Sequence, residues 1–217
     1  MSIHLKNGCR DLLVRAFDLY GQRLNGMKMA EFGNQKLKFD PGRGARRLQI
    51  AKAYFEFFGI RHVSFDLNGR SGALDWDLGK PFDPTALYDA TGIGMGEFDI
   101  VTNFGTIEHI EEPDTQVVAF KNAHDLCRRG GLMVHAMPAV GTCRKHGVWK
   151  YSAAWFADLA VAMGYGIEYL TEWDKCQMWR GRLAVGKELY VLAILRKQAY
   201  PEPDFHTDWP GNPTREK

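Results

Sequence analysis

Residues 98–110 constrain the fold of this chain more than any other stretch. A short apolar run, Ile100-Val101, ends at the turn-prone Asn103-Phe104-Gly105, and Glu108-His109 follow within the same stretch. Such a run, bounded by turn residues, is typical of a central strand in a parallel sheet. Ligands bind at the carboxyl ends of these strands in open α/β sheets. The stretch therefore predicts a strand that opens onto a functional site.

Composition narrows the class of protein. The 217 residues suffice for one domain with a sizeable core, and 45% of them are hydrophobic and 25% charged. The formal charge of +2 gives no case for binding long nucleic acid. The sequence has no apolar run of about 18 residues and no signal-peptide pattern, which predicts a cytoplasmic protein without a membrane segment. The four cysteines are widely spaced, so we expect neither a disulfide framework nor a metal site.

Predicted strands and helices alternate along the chain. Besides the strand that begins near residue 98, strands are predicted over 27–32, 62–66, 73–78, 132–137, 167–173 and 188–196. Helices are predicted over 9–24, 45–58, 113–129 and 152–163, with a short one over 84–88. Because this alternation requires crossovers over a mostly parallel sheet, we expect a doubly wound α/β fold. The last two strands have no clear helix between them and predict a terminal antiparallel hairpin.

Three parts of the chain are expected to differ in role. Residues 1–26 form an N-terminal helical extension, residues 27–199 a Rossmann-like domain, and residues 200–217 a proline-rich tail. The tail has little periodicity and is expected to be loosely ordered. The connection between the second and third strands is too short to hold a crossover helix.

The block over residues 98–110 resembles the fourth strand and following loop of class I S-adenosylmethionine-dependent methyltransferases. The resemblance spans roughly residues 27–173. It implies a seven-stranded Rossmann-like sheet, S-adenosyl-L-methionine as the cofactor, and methyl transfer by in-line displacement. The acceptor atom would be an oxygen or nitrogen of a small molecule, a sugar or a peptide.

The first loop departs from this family's usual pattern, which is similar to Gly-x-Gly-x-Gly. Here Gly33 is followed by Asn34-Gln35, and Gly42 and Gly44 come too late to take the same places. Gly33 permits close approach of a ligand, and we expect its N–H to face the charged end of the cofactor. Asn34 would contact the methionine moiety. Glu31 would accept from an ammonium group, or it is a strand-end acid paired with Lys28 or an arginine.

The second and third strand ends carry further candidates for the cofactor site. Asp66, followed by Leu67, is placed for a bidentate ribose contact, because a lone acid after an apolar strand otherwise carries a desolvation cost. The resemblance implies that Asp77 accepts from the adenine amino group, with Asp75 as the alternative, and that Leu78 lines the ring pocket. Asn103 and Phe104 would form the floor beneath cofactor and acceptor.

Histidines are the candidates for a general base. His109 follows the fourth strand and His146 lies in the loop after the fifth, and an imidazole with a pKa of about 6.5 accepts protons at neutral pH. His135 lies inside the fifth strand and fits a core histidine equally well. Three aromatic residues, Trp149, Tyr151 and Trp155, either wall the acceptor site or belong to the core.

Two other functions remain open. An NAD(P)-dependent Rossmann oxidoreductase needs a phosphate cradle, and the sequence lacks its Gly-x-Gly-x-x-Gly pattern. A non-catalytic module that binds S-adenosylmethionine or regulates a partner fits the degenerate first loop. The joint presence of Glu31, Asp66 and Asp77 argues against that module.

Overall fold

The computed structural model describes residues 2–4, 8–21, 24–38, 48–142, 146–174, 189–198 and 202–216. Its strands are β1 (Ser2–His4), β2 (Lys28–Phe32), β3 (Lys36–Lys38), β4 (Leu48–Ile50), β5 (Arg61–Phe65), β6 (Phe98–Phe104), β7 (Cys127–Pro138), β8 (Trp149–Lys150), β9 (Gly166–Asp174), β10 (Leu189–Arg196) and β11 (Thr214–Arg215). The central sheet has six strands in the order β5-β2-β6-β7-β10-β9, while β1, β3 and β4 form a small sheet of their own.

The central sheet is mostly parallel. Strands β5, β2, β6 and β7 run parallel to one another. Strand β10 lies between β7 and β9 and is antiparallel to both. The α/β fold class and the terminal antiparallel hairpin are therefore confirmed. The strand order reverses direction between β2 and β6, which is where open sheets of this kind bind ligands.

The predicted strand over residues 73–78 is wrong. Leu74 alone pairs with the sheet, through a parallel bridge to Phe65. The Asp77 carboxylate then accepts from the Gly79 N–H at 2.9 Å, which turns the chain away from the sheet. The central sheet consequently has six strands in the described residues, not seven.

Helices cover both faces of the sheet. They are α1 (Gly8–Tyr20), α2 (Ala51–Phe57), α3 (Pro84–Thr91), α4 (Pro113–Leu126) and α5 (Ala153–Ala162). One buried apolar cluster includes Leu87, Phe120 and Phe156 from α3, α4 and α5, and the other includes Leu12 and Phe55 from α1 and α2. Because side chains alternate between the two faces of a strand, alternate strand residues belong to the cluster on one face or to the cluster on the other. The doubly wound arrangement is confirmed. None of the described helices is long and apolar enough to cross a membrane.

Several predicted boundaries differ from the structure: α1 ends at Tyr20 rather than at residue 24, and α3 runs to Thr91 rather than to residue 88. Helix α4 ends at Leu126 and β7 begins at Cys127, so Gly130-Gly131 lie inside the strand and do not stop the helix. A Cβ on Gly131 would lie 2.9 Å from the Asp99 carbonyl oxygen, so the strands approach closely there. Helix α2 begins at Ala51 because residues 48–50 form β4, and residues 39–47 lie outside the described part.

The tail packs against the domain. Phe205 is buried, and β11 pairs with β8 in antiparallel register. A Glu202 carboxylate oxygen lies 2.8 Å from His124 Nε2 on α4. The expectation of a loosely ordered tail is therefore wrong for residues 202–216.

Asp99 joins three elements at the amino-terminal edge of the sheet. Its carboxylate accepts from the Tyr20 hydroxyl at 2.6 Å, the Lys28 N–H at 2.8 Å and Arg128 Nε at 2.6 Å. Burial and the bond to Asp99 raise the pKa of Tyr20. Asp99 therefore has a structural role at the start of β6.

We expect Asp99→Ala to lower the free energy of unfolding by about 2 kcal/mol, because it leaves the partly buried Lys28 N–H and the Arg128 guanidinium without their acceptor. Urea unfolding at pH 7 measures the change. The control is Asp89→Ala on the exposed side of α3, expected to stay within about 0.5 kcal/mol of wild type. Equal stability of the two variants would contradict this role of Asp99.

Candidate functional site

Three parallel strands end side by side at the carboxyl edge of the sheet. Phe32, the last residue of β2, lies opposite Phe65 of β5 and Asn103 of β6. The structure thereby brings the loops that begin at Gly33 and Asp66 together with the turn after β6. This is the edge at which the sequence predicted the site.

Gly33 allows the first loop to pack tightly against the turn after β6. Its φ is +86°, and a Cβ there would lie 2.3 Å from the Thr106 hydroxyl oxygen. Its N–H donates to the Phe65 carbonyl at 2.8 Å. This N–H is therefore bonded within the sheet and does not face a cofactor, contrary to the prediction.

Gln35 bridges the crevice between β2 and β6. Its buried side chain donates to the Phe104 carbonyl at 3.1 Å, and its backbone N–H donates to the Glu31 carboxylate at 3.3 Å. The reversal of strand order makes this crevice the expected ligand position. Sequence reasoning did not single out Gln35, since nothing in its position along the chain indicates that its amide reaches across to β6.

Asp66 is held at the mouth of the site by two backbone amides. Its carboxylate accepts from the Asn34 N–H at 2.8 Å and from the Asn68 N–H at 3.0 Å. The side-chain amide of Asn34 donates to the Arg70 carbonyl, which fixes the first loop against the segment after β5. Each carboxylate oxygen can accept a second bond, so Asp66 can also receive two hydroxyl groups. Leu67 beside it is 70% exposed.

Asp77 and Leu78 lie on the segment that follows the Leu74 bridge. The Asp77 carboxylate is 3.3 Å from the Lys80 ammonium and 40% exposed, so it is open to a ligand. Asp75 is also exposed, and it remains the alternative. The Leu78 side chain is buried in the apolar cluster of α3, α4 and α5, where it supports the segment from beneath.

Asn103 and Phe104 shape the turn after β6 from inside the protein. The side-chain oxygen Oδ1 of Asn103 accepts from the Thr106 and Ile107 N–H groups, each at 3.3 Å, and its side-chain Nδ2 donates to Met137 Sδ at 3.0 Å. Phe104 is buried in the apolar cluster of α1 and α2. Both side chains lie below the floor of the site and hold it in place.

Glu31 is buried beneath the first loop. One of its oxygens lies 3.6 Å from His62 Nε2, while Lys28 pairs with Glu97, so the alternative pairing with Lys28 is wrong. Within the described residues, Glu31 Oε1 and Gln35 Oε1 are buried without a hydrogen-bond partner. Buried acceptors without partners are costly, and they are typical of sites that bind a further group.

The second part of the site comprises Glu108, His109 and His146. Glu108 lies in the short 3-10 turn Ile107–His109 and is fully buried. Its Oε1 is 3.2 Å from His146 Nε2 and 3.6 Å from His109 Nε2. Burial lowers the pKa of His109, and the Glu108 carboxylate opposes this shift. The structure thus brings both predicted histidines together around an acid that sequence reasoning had not assigned to the site.

The other histidine and aromatic candidates belong to the core. Burial lowers the pKa of His135 to about 3, and its ring stacks on Phe120 at 5.3 Å. Trp149 is buried and donates to the Ile110 carbonyl at 2.6 Å. Tyr151 is also buried, and its hydroxyl donates to Gln116 at 2.8 Å. Trp155 is half-buried and donates to the Gly211 carbonyl, so it anchors the tail.

The architecture matches solved methyltransferase structures. The 1,6-didemethyltoxoflavin-N1-methyltransferase of Burkholderia thailandensis, with bound 1,6-didemethyltoxoflavin and S-adenosylhomocysteine, is 15% identical, with a TM-score of 0.54 over 86% of this chain and 78% of that one. The N-methyltransferase NodS of Bradyrhizobium japonicum WM9, in complex with S-adenosyl-L-homocysteine, is 15% identical. Its TM-score is 0.55, and the match covers 87% of this chain and 84% of that one. Phosphoethanolamine N-methyltransferase 2 of Haemonchus contortus, in complex with S-adenosyl-L-methionine, is 13% identical. Its TM-score is 0.53, and the match covers 88% of this chain and 53% of that one.

Sequence comparison finds no relative of this chain. No protein-family profile matches it, and no curated protein is similar to it in sequence. At the identities of the structural matches, the likeness concerns the path of the backbone and not the chemistry. The chain has the fold of the class I S-adenosylmethionine-dependent methyltransferases.

Proposed function

We propose that this protein transfers a methyl group from S-adenosyl-L-methionine to an oxygen or nitrogen of a small-molecule acceptor. One observation carries the proposal. Asp66 is fixed by two backbone amides at the edge where β5, β2 and β6 end, and it keeps acceptor capacity for a ribose diol. The structural matches crystallised with S-adenosylmethionine or S-adenosylhomocysteine support this cofactor, and their names support a small-molecule acceptor.

The residues at the sheet edge fit such a cofactor in part. Asp66 would hold the ribose, with Leu67 beside it, and Asp77 would accept from the adenine amino group. Glu31 Oε1 and Gln35 Oε1 have no hydrogen-bond partner, so they can accept from the positively charged amino end of the cofactor. S-adenosylmethionine supplies an electrophilic methyl group on a sulfonium, and the protein's part is to align the acceptor with it.

Removal of the acceptor proton falls to the histidine pair in this proposal. His109 and His146 lie beside the Glu108 carboxylate on the turn and loop that follow β6 and β7. A carboxylate next to an imidazole orients the ring and stabilises the imidazolium that forms when the ring takes up a proton. Either imidazole can therefore serve as the general base for a hydroxyl or amine acceptor.

Calorimetric titration with S-adenosylmethionine and S-adenosylhomocysteine tests the proposal. We expect wild type to bind both, and Asp66→Asn to bind each at least about 10-fold more weakly, because it loses charge-assisted bonds to the diol. Asp89→Asn on α3 is the control and should leave both affinities unchanged. Absence of binding at millimolar concentration would refute the methyltransferase proposal, and binding of NAD alone would favour the oxidoreductase.

A non-catalytic binding module is the second candidate, and the first loop favours it. The Gly33 N–H is bonded to Phe65, and Gln35 spans the crevice between β2 and β6. Binding of S-adenosylmethionine by wild type, together with no turnover on any acceptor tried, would support the module.

A further inference from the structure

The cluster of Glu108, His109 and His146 has the spacing of a metal-ligand set. One donor atom from each residue can be chosen so that all three lie within 4.8 Å of one another. The Glu108 Oε1 distances are 3.2 Å to His146 Nε2 and 3.6 Å to His109 Nε2. Ligand atoms about 2.0–2.2 Å from a tetrahedral Zn²⁺ are separated by about 3.3–3.6 Å. The observed distances from Glu108 therefore agree with ligands of a single cation.

The Glu108 carboxylate lacks a hydrogen-bond donor within the described part of the chain. Both of its oxygens are buried without a partner, and so is His146 Nε2, because the close approach of the two groups lacks hydrogen-bond geometry. A buried carboxylate is stable when it is paired and hydrogen-bonded or when it binds a metal. The side chain is fully buried, and it points at two imidazoles rather than at amide donors.

Surrounding contacts hold the three side chains in place. Gln116 donates to the Ile107 carbonyl at 2.9 Å and to the Ile110 carbonyl at 3.0 Å, which fixes the turn that carries Glu108 and His109. The Val148 N–H donates to the Glu108 carbonyl at 2.8 Å, and the buried Lys150 ammonium donates to the His146 carbonyl. Metal sites depend on such outer contacts to orient their ligands.

We propose that Glu108, His109 and His146 bind one divalent transition-metal cation of the zinc class. Two imidazoles and one carboxylate suit Zn²⁺, Co²⁺ or Mn²⁺, whereas Mg²⁺ prefers a shell of oxygen ligands. Three protein ligands leave one position of a tetrahedral cation open. The side chains of His109 and His146 are partly exposed, whereas that of Glu108 is buried. The expectation of no metal rested on cysteine spacing, which does not detect this histidine and glutamate set.

The role of the cation rests on the proposed function, but its binding does not. A cation at this position would lower the pKa of an acceptor hydroxyl, whose proton would then leave to water. With the cation bound the two imidazoles act as ligands, and the general-base role proposed above applies to the metal-free protein. Cation binding is measurable without cofactor or acceptor. Failure of metal binding and failure of methyl transfer are therefore separate results.

The test is a titration of the full chain after treatment with a chelator. We expect one Zn²⁺ per chain by calorimetry and one Co²⁺ by its visible absorption spectrum. Glu108→Gln and His109→Ala should each weaken metal binding at least about 100-fold. Loss of a residue that only supports a metal ligand already costs up to about 100-fold in affinity, and these two residues are ligands themselves. The Gln variant keeps the side-chain size, and the His109 ring is half-exposed, so both variants should fold. His206→Ala in the exposed tail is the matched control and should bind as wild type does.

Several results would overturn the proposal. They are the absence of saturable Zn²⁺ or Co²⁺ binding, equal binding by wild type and Glu108→Gln, and displacement of bound Co²⁺ by Mg²⁺. A thiolate-to-cobalt absorption band would also overturn it, because that band would place the cation on a cysteine.

Discussion

Replacing Gly147 by alanine is expected to lower the free energy of unfolding by about 3 kcal/mol. Gly147 has a φ of +71°, and a Cβ at this position would lie 2.4 Å from Glu108 Cγ and 3.1 Å from the Glu108 carbonyl oxygen. Glu108 is fully buried and cannot move aside freely. The overlap therefore adds to the strain of a left-handed backbone, and the loop with His146 must shift. Urea unfolding at pH 7 measures the loss.

Gly141 offers a matched control in the same loop. Its φ is +74°, but a Cβ there would meet nothing within 4 Å. Gly141→Ala should therefore cost only the backbone strain, about 1 kcal/mol. The difference between the two variants measures the contact between Gly147 and Glu108. If both variants lost the same stability, the packing of this loop on Glu108 would be disproved.

Acid is expected to destabilise the protein through His135, by roughly 2–3 kcal/mol between pH 7 and pH 4.5. Burial lowers the pKa of His135 to about 3, whereas an unfolded chain has the ordinary value of about 6.5. Below pH 6.5 the unfolded state therefore binds a proton that the folded state does not. This contribution to stability is complete above pH 6.5 and is lost as the pH falls towards 3.

The non-titrating variant His135→Gln isolates this effect. Glutamine keeps a polar group near the Asn103 amide, which lies 3.4 Å from His135 Nδ1. Urea unfolding at pH 7 and pH 4.5 should show that the variant loses roughly 2–3 kcal/mol less than wild type over this interval. His206→Gln in the exposed tail should keep the pH dependence of wild type. Parallel curves for wild type and His135→Gln would contradict a neutral, buried His135.

Apolar runs were sufficient to predict the six strands that the central sheet contains, although a seventh strand was predicted wrongly. The strands that contain Met29, Val101 and Val134 are short apolar segments bounded by turn residues, and the structure places all three in the central sheet. Ser152 predicted the start of α5, and its side chain accepts from the Trp155 N–H at 3.0 Å. These signals are local, so the sequence alone reveals them.

One error has a local cause, and another involves the approach of distant parts of the chain. Leu74 begins a segment with the alternation of a strand, but a bond within the segment, from Gly79 to Asp77, turns it away from the sheet. Gly130-Gly131 have the composition of a helix stop. They lie in β7 because the chain runs close to Asp99 there.

The candidate site was predicted in its outline only. Asp66 and the two histidines follow strands, so their common edge could be derived from topology. The contact between Glu108 and His146 joins residues on different loops, and the Gln35 amide reaches Phe104 on another strand. Side-chain direction decides both contacts, and a sequence pattern does not contain it.

The antiparallel pairing of β11 with β8 bears on the order in which the protein can be assembled. The Glu216 N–H donates to the Val148 carbonyl at 3.0 Å, and its carboxylate accepts from the Gly141 N–H at 2.7 Å. Both partners flank the loop that carries His146. During synthesis the sheet can form before residues 214–216 leave the ribosome, whereas this loop gains its last bonds only afterwards. A nascent chain stalled before these residues would hold a folded sheet beside a loop around His146 that still lacks these bonds.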